Sequence, residues 1–195
     1  MNTNLVIVPT RSRPDNAERF ARHFFENSSI SDLVFGIDND QINMYPKING
    51  AMYEVNPNMK LVPKLNLIAN KYVDQYKTIT FLGDDHVLKT KNWDASLYTP
   101  IQQIGYGFSF ANDLFQTPTL PTSIMESTNI IKALGFMAPE SLYHMYMAHN
   151  NQTATTIMIM DLFMVIKIMI SRRCCNNKKT LSCYSRILEV MNISI

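Results

Sequence analysis

Apolar and polar residues come in short alternating blocks over the first half of this chain. Residues 5–8 (Leu-Val-Ile-Val) are an unbroken aliphatic run, the pattern of a strand covered on both faces. Pro9-Thr10-Arg11-Ser12-Arg13-Pro14 ends that run, and Pro14 suits the first turn of a helix extending to about residue 26. Ala17, Phe20, Ala21, Phe24 and Phe25 then recur at helical spacing and predict one apolar stripe. A second strand is predicted over 32–37, closing on Asp38-Asn39-Asp40, and a third over 51–55. The strongest helical pattern follows. Leu65, Ile68, Ala69, Tyr72, Val73 and Tyr76 fall three and four apart, which predicts that Asn66, Asn70, Lys71 and Asp74 face solvent. A strand over 78–82 then stops at Gly83-Asp84-Asp85-His86.

Strand, helix, strand, helix, strand in this order predicts an α/β fold with a mostly parallel sheet. In such sheets the polar residues that follow each strand gather along one rim, where ligands bind. Three clusters are expected to meet there: Thr10, Arg11 and Arg13; Asp38 and Asp40; Asp84 and Asp85. Guanidinium groups pair with phosphate oxygens, and a carboxylate accepts from a base imide or a ribose hydroxyl. Two adjacent carboxylates invite a divalent cation bridging to phosphate, although a solvated Gly-Asp turn would show the same residues. Neither a Gly-rich dinucleotide fingerprint nor a Walker lysine loop is present.

Composition adds a boundary. The 195 residues, 46% hydrophobic and 17% charged, suit one globular domain. The net charge of +2 is uneven: residues 1–147 carry 12 Lys and Arg against 14 Asp and Glu, and residues 148–195 carry 6 against 2. A weakly acidic body argues against a general nucleic-acid surface, so no nucleic-acid partner is expected. All nine prolines and six glycines lie at or before Pro139, whereas Cys174, Cys175 and Cys183 lie in the tail, in no zinc or disulfide spacing. The division is therefore a domain over 1–147 and an atypical tail over 148–195, either helical or without fixed structure. Its apolar run over 157–170 includes Asp161 and Lys167 and is too short for a membrane span. With no signal-like N-terminus, a cytoplasmic location is expected.

The residues also resemble a family. Val6-Ile7-Val8-Pro9-Thr10-Arg11-Ser12-Arg13-Pro14, Ile37-Asp38-Asn39-Asp40 and Phe81-Leu82-Gly83-Asp84-Asp85-His86 are similar to the nucleotide-sugar half of a GT-A glycosyltransferase of the family 2 type. Residues 120–126 and Ala133-Leu134-Gly135-Phe136-Met137 resemble its acceptor half, so the likeness covers roughly residues 4–147. It implies a Rossmann-like three-layer sandwich, its C-terminal part truncated or replaced. It also implies metal-dependent transfer of a sugar, of the hexosyl type, from a nucleoside-diphosphate sugar to a hydroxyl on a glycan or other acceptor. Carried over by position, Thr10, Arg11 and Arg13 cradle the nucleotide, Asp38 reads the base and Lys64 helps neutralise the phosphates. Asp85 is then the principal ligand of Mn²⁺ or Mg²⁺ in a DXD-like motif, with Asp84 a ribose or second metal contact.

A catalytic base is harder to assign. Where relatives carry an Asp or Glu late in the helix after Gly135-Phe136, this chain has Ala148 followed by His149. Glu126 stands in as the candidate, with Glu140 read as a helix cap and Asp161 as a weaker option. His86 is either a metal contact or a hydrogen-bonding neighbour, and Trp93 either stacks on a sugar or anchors a helix. The tail reads as replaced or out of frame, which the other reading frames of the coding DNA would reveal. Two further readings stand beside the transferase: a non-catalytic nucleotide-sugar or glycan-binding remnant, and a nucleotidyl or phosphoryl transferase. The last lacks the second acidic motif and basic channel that it needs.

Overall fold

The computed structural model of the protein describes residues 3–111 and 123–139. Six strands form one sheet: β1 (Asn4–Pro9), β2 (Ser31–Asp38), β3 (Ala51–Asn56), β4 (Thr78–Phe81), β5 (Phe108–Phe110) and β6 (Ile124–Ser127). Their order across the sheet is β3-β2-β1-β4-β6-β5. The first four are parallel, with Val6 opposite Leu33 on one side and Thr80 on the other. β6 runs antiparallel to both β4 and β5.

Helices α1 (Pro14–Asn27), α2 (Leu61–Tyr72), α3 (Trp93–Ile104) and α4 (Thr128–Leu134) cover the sheet. Val6, Val8, Leu33, Phe35 and Ile37 point from one face into Ala17, Phe20, Ala21 and Phe24 of α1, with Trp93 of α3 in the same cluster. On the opposite face α2 lies over β1 and β2 and also meets α4. Gly36 permits that approach, because a Cβ there would stand 2.7 Å from Ile68 Cδ1 and 3.3 Å from Lys64 Cδ. Among the described residues no helix is long and apolar enough to cross a membrane.

Several expectations are corrected in detail. Phe25 is exposed, off the α1 stripe, and packs edge-on to Phe24. α2 ends at Tyr72, before Tyr76. Asn66 is buried, not solvent-facing: its amide nitrogen donates to the Ala138 carbonyl at 2.7 Å, and its oxygen accepts from the N–H groups of Met137 and Ala138. One amide thus satisfies a buried stretch of backbone that would otherwise lack partners. Trp93 anchors rather than stacks on a ligand, being buried with its indole N–H donating to Ser28 Oγ at 2.9 Å. The segment 112–122, Glu140 and everything beyond it, including His149, Asp161 and the cysteines, lie outside the described residues.

Candidate functional site

The loop between β1 and α1 organises the rim at the carboxyl ends of the parallel strands. Ser12 adopts φ +55°, a left-handed conformation unusual for a residue with a side chain. Gln41 holds it there: its Oε1 accepts from the Ser12 N–H at 2.7 Å, and its Nε2 donates to Ser12 Oγ at 2.9 Å. Tyr45 pins the residues on either side, its hydroxyl accepting from the Arg13 N–H at 3.3 Å and lying 3.2 Å from Thr10 Oγ1. Neither Gln41 nor Tyr45 belongs to a recognisable motif. Only the helical turn at Ile42–Met44 brings them under the loop.

With Ser12 turned, the two arginines part. Arg11 pairs with Asp38 at the end of β2, donates to Asn58 Oδ1 at 2.7 Å and stands 3.8 Å from Asp40. Arg13 instead reaches across to the end of β4, where its Nη2 is 3.0 Å from Asp84 Oδ1. Thr10 donates to the other oxygen of Asp84 at 2.6 Å. Since its single proton is committed there, the Tyr45 hydroxyl must donate to Thr10, giving a chain from Tyr45 through Thr10 to Asp84. Residues some seventy positions apart are thereby joined by one loop.

The acidic residues differ in access. Asp38 is enclosed and also pairs with Lys64, a buried lysine whose stem crosses β2 over Gly36. Lys64, expected at the phosphates, therefore has its ammonium on Asp38 and reaches a diphosphate only by giving up that pair. The Asp84 side chain is 0% exposed, whereas that of Asp85 is 55% exposed. Burial pushes the Asp84 carboxyl above its ordinary range, opposed by Thr10, Arg13 and Asn16 and reinforced by Asp85. The Asp85 carboxyl is held below that range, chiefly by the hydrogen bond from His86 acting against burial.

Gly83 leaves room for the Asp85 and His86 side chains to fold back over it, since a Cβ there would fall 2.5 Å from Asp85 Oδ1 and displace that side chain. His86 folds back over it: Nδ1 lies 3.4 Å from Asp85 Oδ1 and 3.0 Å from the Gly83 N–H. With a proton on Nδ1 it faces both the Gly83 carbonyl at 3.1 Å and Asp85; as the other tautomer it accepts from the Gly83 N–H.

Whether a divalent cation fits can be judged from the donors. Asp84 Oδ1 is a buried oxygen with no well-aligned hydrogen-bond partner among the described residues, Arg13 being near it but not aligned to donate. Asp85 beside it is open. Among the described residues no three His, Cys, Asp or Glu side chains converge. The set thus suits a hard cation held by one or two carboxylates that takes its remaining ligands from a phosphate-bearing molecule.

Glu126 is elsewhere. On β6 it is paired with Ile79, which in turn sits opposite Leu5, so it shares their face of the sheet. Thr10 is five residues farther along β1, about 16 Å at the usual rise per strand residue. Glu126 is 1% exposed, its Oε1 has no hydrogen-bond partner among the described residues, and burial raises its carboxyl well above the ordinary range. A carboxyl enclosed at that depth has no path to an acceptor hydroxyl at the rim. At that position Glu126 stands apart from the cluster of Thr10, Asp38 and Asp84.

No protein-family model and no curated protein sequence matches the chain. Solved structures do. The mannosyltransferase PcManGT from Pyrobaculum calidifontis, in complex with GDP-Man and Mn²⁺, superposes with a TM-score of 0.54 at 11% identity over 70% of this chain and 47% of its own. TarS of S. aureus gives 0.51 at 15% identity over 72% of this chain and 31% of its own. The fold is that of the GT-A glycosyltransferases. The glycosyltransferase GlyE of Streptococcus pneumoniae shares this GT-A fold, with a TM-score of 0.51 at 11% identity over 84% of this chain and 44% of GlyE. The chain spans half or less of the length of each of these structures.

Proposed function

We propose that the protein transfers a sugar from a nucleoside-diphosphate sugar to an acceptor hydroxyl, with Mn²⁺ or Mg²⁺ at Asp85 and Asp84. The observation that carries this reading is the loop of Thr10, Arg11 and Arg13, which engages the carboxylates that follow both β2 and β4. A base and a diphosphate belong to one ligand, and these groups form one connected network. The GT-A fold supports it, as does the GDP-Man and Mn²⁺ complex of PcManGT.

In this reading Asp38 accepts from a base N–H, with Lys64 setting its orientation. Arg11 must first swing away, and as a half-exposed side chain it can do so and turn to a phosphate oxygen. Thr10 and Tyr45 hold the loop while this happens. Asp85 and Asp84 would hold the cation, which would supply Lewis-acid stabilisation of the departing diphosphate. The acceptor oxygen bonds to the anomeric carbon as the bond to the diphosphate oxygen breaks, that oxygen keeping the electron pair. The acceptor proton goes to a base other than Glu126.

The test is thermal denaturation of the full chain against a panel of nucleoside diphosphates and their sugars, with and without Mn²⁺. A ligand at a hundred times its dissociation constant stabilises by about 2.7 kcal/mol. Asp38→Asn and Asp85→Ala should each abolish the shift. Binding with no sugar transferred to any acceptor marks a non-catalytic binder; no response to any member of the panel defeats the proposal.

A further inference from the structure

We propose that Arg13 is the resident counter-charge of Asp84 and that a divalent cation binds only as Arg13 leaves, so that cation and diphosphate load the site together. This rests on the reading of the rim as a nucleotide-diphosphate site. The two oxygens of Asp84 are treated differently. Oδ2 takes a short hydrogen bond from Thr10, which is itself fixed by Tyr45. Oδ1 is buried, has no well-aligned hydrogen bond among the described residues, and faces the Nη2 of Arg13 at 3.0 Å. An acceptor left in that state is costly, and the misaligned guanidinium compensates it chiefly by charge, with a smaller contribution from Asn16.

Arg13 is also free to go. Its side chain is 46% exposed, unlike Lys64, which is buried against Asp38 at 4%. Its backbone stays pinned by the Tyr45 hydroxyl and by Pro14 at the start of α1, so only the side chain moves. While Arg13 remains, an arriving cation meets one open carboxylate, that of Asp85, and a positive charge beside it. Two carboxylates become available only when the guanidinium finds another anion, and a diphosphate at the same loop provides one. Coupling of this kind is reciprocal: whatever the diphosphate does for the cation, the cation does for the diphosphate.

Direct titration of Mn²⁺ alone, followed by the electron paramagnetic resonance of the free ion, tests this on the full chain without knowledge of the donor. Arg13→Ala should bind Mn²⁺ at least tenfold more tightly than the wild type, and Arg13→Gln should do likewise should the alanine variant fold poorly. Arg11→Ala removes the same charge from the same loop but not from Asp84, and should change the affinity by less than twofold. The gain from Arg13→Ala must vanish in an Asp84→Asn background.

An unchanged affinity in Arg13→Ala, or a gain that persists without Asp84, overturns the inference. If wild type is nonetheless stabilised by a nucleoside diphosphate with Mn²⁺, the nucleotide reading stands and only the role of Arg13 is lost. If no variant binds Mn²⁺ and no nucleotide stabilises the wild type, both fall.

Discussion

The opposite ends of the parallel strands bury their carboxylates by different means. At the carboxyl ends, Asp38 and Asp84 are faced by side-chain cations, two of them half-exposed arginines. At the amino end of β2, Asp94 in the first turn of α3 is just as buried but meets no cation among its hydrogen bonds. It accepts from the backbone N–H groups of Ser29, Ile30 and Ala95 and from the hydroxyls of Ser29 and Ser31. Burial would raise its carboxyl, but the Ile30, Ser31, Ser29 and Ala95 donors together outweigh burial and hold it lowered. Backbone donors cannot leave without unfolding the turn, whereas arginine side chains can. One end locks the α1–β2 connection to α3; the other carries charges on half-exposed side chains, which the proposed exchange for a ligand requires. The antiparallel extension supplies a third case, Glu126, buried with no partner for Oε1 among the described residues.

Four substitutions sharpen or break that contrast. Asp38→Ala should have the largest effect: it strands a buried Lys64 charge, costing about 3–5 kcal/mol in urea denaturation and abolishing nucleotide binding. Asp94→Ala should cost about 2–3 kcal/mol through unsatisfied donors, with nucleotide affinity of the folded protein unchanged. Its folded-state carboxyl lies below the unfolded value, so wild type keeps this contribution at neutral pH. The contribution disappears as acid protonates the folded carboxyl, and the two proteins' stabilities should converge there. Arg11→Ala should cost less than about 1 kcal/mol, as a half-exposed ion pair does, yet weaken nucleotide binding. A larger stability loss than Asp94→Ala would erase the proposed division between the two ends. Glu126→Gln should act in the opposite direction. Its folded carboxyl lies above the unfolded value, so the wild type loses stability as pH rises past about 4.5, and the variant should melt higher at pH 8 but not at pH 4.

Much of the parallel half could be read in advance. Leu5–Val8 and the Phe20–Phe24 stripe are long, regular and buried, so local pattern and tertiary environment agree. The antiparallel half could not. β5 and β6 are three and four residues long, too short for periodicity to register. Asn66 departs from its helical pattern for a related reason: a polar residue on a helix reads as solvent-facing unless its buried partner is known, and Ala138 lies 72 positions away.

What the amino-acid order settled by itself was the sequence of elements and the chemistry loaded after each strand: guanidinium groups after the first, carboxylates after the second and fourth parallel strands. These are local properties, set by spacing and by the turn residues that end each run. Only tertiary structure decided which carboxylate each arginine meets, because that depends on the left-handed turn at Ser12 and the Gln41 and Tyr45 contacts that hold it. The same is true of access. Asp84 and Asp85 are neighbours of identical chemistry, and strand-end geometry turns one inward to Thr10 and the other out to solvent.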